Sequence, residues 1–78
     1  MNEELLKRIT TDPAVLSGKP VIRGMRITVE QILIALASNV STADLMNDYP
    51  ELEPQDLKAV LLYAARLVEG ERVHNLDV

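Results

Sequence analysis

The chain predicts a mainly α-helical fold: a three-helix helix-turn-helix bundle, homeodomain-like or winged-helix-like, with a short N-terminal β-hairpin. Three observations carry this expectation. From Thr28 onward, apolar residues recur at helical spacing in three blocks, separated by Ser38-Asn39 and Tyr49-Pro50. Before Thr28, β-branched residues alternate with glycine and proline. With 78 residues, one small core is all that can form, and such a chain buries only about 60% of the surface its unfolded form exposes.

The reading divides the chain into an N-terminal segment (1–13), a hairpin segment (14–28), a helical bundle (29–69) and a tail (70–78). Glu3 to Arg8 allows a short helical turn with Leu5, Leu6 and Ile9 on its apolar side. Asp12-Pro13 breaks it, because the residue before proline is pushed out of the α region. Across Ala14 to Thr28, the β-branched Val15, Val21, Ile22, Ile27 and Thr28 suit two short strands folded back near Arg23-Gly24, with Gly24 supplying a positive φ.

At Thr28 the period changes. Val29, Ile32, Leu33, Leu36, Ala37 and Val40 share one helix face, Thr28 is the expected N-cap, and Gln31 completes a capping box. Ser38-Asn39 should end this helix, since Asn accepts the left-handed conformation. Ser41 with Asp44 opens a second, short helix, which Tyr49-Pro50 closes. Pro54 opens the third, whose stripe is Leu57, Val60, Leu61, Ala64, Leu67 and Val68, with Leu62, Tyr63 and Ala65 off it. Gly70 should end it, and the residues beyond show no pattern.

Composition narrows the function. A net charge of −4 argues against coating nucleic acid, and with only Tyr49 and Tyr63 as aromatics a base-stacking surface is not expected. The chain has no cysteine, a polar and acidic start, and no apolar run near the roughly 20 residues that span a bilayer. Together these features read as a cytoplasmic protein.

Positive charge is nonetheless gathered locally, in Lys19, Arg23 and Arg26 within "SGKPVIRGMRITVEQIL". A phosphate loop is excluded because Pro20 follows Gly18-Lys19 and offers no backbone donor. Two readings remain: a solvated turn, or a pair of arginines aimed at one anion. From Ser41 to Leu57 the balance reverses, and Asp44, Asp48, Glu51, Glu53 and Asp56 read as a solvated acidic face partly serving helix N-termini. Gln55, Lys58 and Arg66 are polar groups on the third helix, suited to base edges or phosphates. His74 is the sole histidine and lacks partners for a metal site or a catalytic triad. No cofactor, no metal site and no catalysis are expected. Ile34, Leu62 and Tyr63 are the expected dimer surface.

The order "DPAVLSGKPVIRGMRITVEQIL" followed by "LASNVSTADLMNDYPELEPQDLKAVLLYA" resembles the bacterial and archaeal domain of unknown function family 433, whose members look like VapB-type antitoxins. The likeness covers roughly Ile9 to Ala65, with Met25 where the family usually has threonine and Asn39 where it has glycine. It implies a dimeric helix-turn-helix domain encoded beside a PIN-like ribonuclease toxin, which it binds and neutralises while repressing its own operon. The basic residues then have two expected roles, contact with operator DNA or with the carboxylates of the nuclease. A dimeric adaptor without DNA binding is the alternative.

Overall fold

The computed structural model describes residues 2–71. Its order is α1 (Asn2–Leu6), β1 (Ile9–Thr10), a 3₁₀ turn (Leu16–Gly18), β2 (Val21–Ile22), α2 (Val29–Ala37), α3 (Thr42–Asp48) and α4 (Pro54–Glu71). The molecule is mainly helical, with one two-stranded antiparallel sheet.

The helix boundaries follow the local chemistry. Thr28 Oγ1 accepts from the Gln31 amide at 2.9 Å, while Gln31 Oε1 accepts from the Thr28 amide at 2.8 Å. This reciprocal box satisfies two donors that would otherwise be orphaned at the start of α2. The chain leaves α2 through Asn39 at φ 70°, in the left-handed region. Ser41 Oγ then accepts from the Asp44 amide at 3.0 Å and starts α3. Leu52 donates to the Tyr49 carbonyl at 2.8 Å, so a tight turn replaces the helix at Pro50. Gly70 does not end α4, which continues through Glu71; the tail beyond it, with His74, lies outside the described residues.

The hairpin differs from expectation. A turn does form at Arg23-Gly24, with Gly24 at φ 61° and the Met25 amide donating to the Ile22 carbonyl. The return leg makes only a single bridge, Val21 to Thr28. The partner strand of β2 is β1, in the register Ile9 to Ile22 and Thr10 to Val21. The N-terminal segment is thus built into the sheet, because a two-residue strand gains more from a second ladder than from the bridge alone.

Ile22, Ile27, Val29, Ile32, Leu45, Leu52, Leu57 and Val60 form the core. Every element from β2 onward contributes to it, and α4 is the element that α1, α2 and β1 all touch. The expected stripe of α4 holds for Leu57 and Val60, which are buried with Ala59, but Leu61, Leu67 and Val68 are exposed. The 18 residues of α4 span about 27 Å, and its second half is only partly covered by the other helices.

Candidate functional site

The strand register places two arginines opposite one another. Arg8 precedes Ile9 and Arg23 follows Ile22, and the Arg23 amide donates to the Arg8 carbonyl at 2.8 Å. Like charges facing across a ladder repel, and here a carboxylate lies between them. Asp56, in the first turn of α4, has 0% of its surface exposed.

The Asp56 carboxylate accepts four hydrogen bonds. Arg8 Nη1 reaches Oδ1 at 3.0 Å, and Arg23 binds side-on, Nε to Oδ1 at 3.1 Å and Nη2 to Oδ2 at 2.9 Å. The Glu53 amide donates to Oδ2 at 2.9 Å, which also caps the start of α4. Glu53 Oε1 holds Arg8 Nη1 from the other side at 2.8 Å, and the Glu51 carbonyl accepts from Arg23 Nη2 at 3.2 Å. Buried charges are stable only when paired and hydrogen-bonded in this way.

Burial pulls the Asp56 carboxyl toward the neutral form, but the Glu53 amide and the two guanidinium groups outweigh it and hold the group below the usual carboxylate range. The Arg8 guanidinium is held above its ordinary value by its hydrogen bond to Glu53 and then by that to Asp56. Asp56 therefore departs from the expected solvated acidic face. Its neighbour on that face, Glu53, is exposed and serves the network from the rim.

Of the expected basic cluster, only part faces solvent freely. Arg23 is committed to Asp56, and Lys19 Nζ meets Glu30 Oε1 at 3.0 Å. Arg26 is exposed and has no ion pair among the described residues. It borders a surface depression of about 490 Å³ together with Leu16, Lys19, Gln31 and Ile34. Its other side borders a depression of about 460 Å³ that includes Met25, Tyr49 and Glu51. The three cations thus do not converge on one anion site.

The α4 residues are likewise separated. Gln55 and Lys58 are exposed near its start, while Arg66 lies further along and approaches Glu3 of α1 at 3.7 Å. Ile34 is 58% exposed, but it borders the Arg26 depression, whereas Leu62 borders a different groove along α4. Leu62 and Tyr63 are half-buried, and Tyr63 packs against the core. Ile34, Leu62 and Tyr63 therefore do not make one continuous surface. The uncovered apolar groups of α4 are Leu61, Leu67 and Val68 instead. Among the described residues, no group of three or more His, Cys, Asp or Glu is placed to hold a metal ion. No described helix is long and apolar enough to cross a membrane.

Sequence reasoning missed Arg8 and Asp56. The one available signal was the acid at the third position of a helix opened by proline, which points to capping but not to burial. Arg8 gave none, because its relevance depends on which strand pairs with β2.

A mainly helical domain whose two-stranded sheet is locked to its last helix through a buried carboxylate is the class defined by this geometry. The chain belongs to the family described as "Protein of unknown function (DUF433)", whose sequence pattern matches residues 9–64. The crystal structure of a DUF433 member from Anabaena variabilis superimposes with a TM-score of 0.77 at 28% identity, covering 87% of this chain and 67% of that one. A relative from Sinorhizobium fredii, "Uncharacterized protein y4eO", is 29% identical over 65 residues, which is 82% of this chain. The match spans only 29% of that relative's length.

Proposed function

We propose that this domain is the antitoxin of a type II toxin-antitoxin pair, a helix-turn-helix domain that docks on a PIN-like ribonuclease and neutralises it. The observation that carries the reading is that Lys19 and Arg23 are paired with Glu30 and Asp56, which leaves Arg26 as the cation of that loop without an ion pair among the described residues, exposed beside Leu16 and Ile34 in a depression that Lys19 and Glu30 also border. Nucleic-acid binding draws on many cations tracking phosphates. One unpaired arginine with aliphatic side chains beside it instead suits a protein anchor, since interface hot spots favour arginine that becomes desolvated on docking. The metal-binding carboxylates of a PIN-like nuclease are chemically matched to it.

The reading requires a PIN-like nuclease gene beside the gene for this chain, and the test is co-expression of the two, scoring growth and co-purification. The intact domain is expected to restore growth and hold the nuclease, and Arg26→Glu to lose both while keeping its melting temperature. Failure of the intact domain to retain the nuclease would overturn the proposal, as would full retention by Arg26→Glu.

Operator binding is the second reading, favoured by Gln55 and Lys58, which are both exposed and lie three positions apart on α4. The exposed Glu51 and Glu53 beside that helix start oppose it, because carboxylates repel the phosphate backbone. Fluorescence anisotropy with the upstream DNA at about 50 mM salt decides the matter: no binding there removes this reading, and binding that Lys58→Ala weakens would support it.

A further inference from the structure

Three consecutive residues between β1 and β2 have left-handed backbone: Leu16 at φ 48°, Ser17 at φ 59° and Gly18 at φ 80°. Glycine takes up this region without steric conflict, but a bulky side chain there is an outlier, because its Cβ crowds the neighbouring carbonyl. The surrounding chain holds the turn in this shape. The Val15 amide donates to the Asp12 carbonyl at 2.8 Å, Gly18 to Val15 at 2.9 Å and Lys19 to Leu16 at 3.2 Å. Asp12 Oδ1 also accepts from the Ala14 amide at 2.9 Å.

Backbone strain of this kind persists where the surroundings impose it, and it gathers at sites that bind. Core packing does not account for the leucine. Leu16 is 37% exposed, and the core is drawn from other residues. Its side chain instead borders the surface depression that Ile34 and Arg26 share. The ionisable groups of that depression are Lys19, Arg26 and Glu30, two cations against one acid on a chain whose net charge is −4. The complement of such a patch is a carboxylate next to an apolar socket.

We propose that Leu16 is the apolar anchor of the docking surface, seated in a socket of the nuclease beside the carboxylate that meets Arg26. This rests on the docking reading given above and adds the residue that fixes affinity. A turn already locked in its bound shape loses little conformational freedom on docking. The unfavourable backbone is therefore carried by folding and not again by binding. Stability and affinity then pull in opposite directions at this one position.

Leu16→Gly separates the two. Glycine relieves the backbone and removes the side chain, so the melting temperature should rise by about 4 °C. The dissociation constant for the purified nuclease encoded beside this chain should increase by at least about tenfold, as for the loss of an interface anchor. That loss should fall on the dissociation rate and leave the salt dependence of association unchanged, because the group removed carries no charge; Arg26→Glu should instead slow association and alter its salt dependence. Leu16→Met keeps the apolar volume and should retain affinity within about threefold. A melting temperature lowered by Leu16→Gly would show that the leucine serves the core, and an unchanged dissociation constant would show that it touches no partner. Either result overturns this inference while leaving the docking reading in place. An intact domain that does not bind the nuclease removes the docking reading itself, and this inference with it.

Discussion

Replacing Asp56 with alanine should be the most damaging single substitution in this domain. The carboxylate is fully buried and accepts four hydrogen bonds, three of them from guanidinium groups. Breaking a buried ion pair by removing one partner costs about 3–5 kcal/mol. That range fits four partly redundant, charge-assisted bonds better than their arithmetic sum would, because partners in one network are not additive. Domains have roughly 0.05–0.15 kcal/mol of stability per residue, so a chain of 78 residues has about 4–12 kcal/mol in total. The variant would lose a quarter or more of it. For a domain of this size each kcal/mol shifts the melting temperature by about 4–8 °C, giving a fall of roughly 12–40 °C. Urea unfolding followed by circular dichroism should show a lower midpoint with an unchanged slope. Arg23→Ala should then add little in the Asp56→Ala background, because its main partner is gone. A loss below about 1 kcal/mol, the range of exposed ion pairs, would show that the carboxylate is hydrated rather than enclosed, and the argument from burial would fail.

The same group predicts an acid limb. The Asp56 carboxyl titrates lower in the folded chain than in the unfolded one, so its contribution is fully present above about pH 4, the ordinary aspartate value, and is lost as pH falls through the depressed folded value. Asp56→Asn should flatten that limb in a stability-against-pH series. Thr28→Ala removes one half of the α2 capping box and should cost about 1 kcal/mol in thermal unfolding. Gly24→Ala has room for the added methyl but sits at φ +61°, so its loss should be the backbone penalty alone, about 1–2 kcal/mol. Lys19→Ala breaks an ion pair whose two side chains are more than half exposed, and should change stability by less than about 1 kcal/mol.

The helices were legible because their signals are local. Thr28 with Gln31, Asn39 after Ser38, Ser41 with Asp44, and Pro54 after Glu53 each satisfy or release backbone groups within a few residues, so no knowledge of distant chain is needed to place them. The turn at Gly24 was legible for the same reason. The candidate site was less so. Lys19, Arg23 and Arg26 lie close together in sequence and look alike there, yet one is paired with Glu30, one is bound to the buried Asp56, and one faces solvent without an ion pair among the described residues.

What the sequence determined by itself was the order of the helices, the caps that bound them, and the apolar sets from which the core is drawn. Tertiary structure decided which strand completes the sheet, and with it which charges remain available to a partner. Pairing β2 with β1 sets Arg8 opposite Arg23, and the start of α4 then supplies the carboxylate that makes the pairing tolerable. The bonds from Asp56 to Arg8 and Arg23 cross 48 and 33 positions of chain. Periodicity and capping act over a few residues, whereas electrostatic neutralisation depends on distance in space, so the second cannot be read from the first.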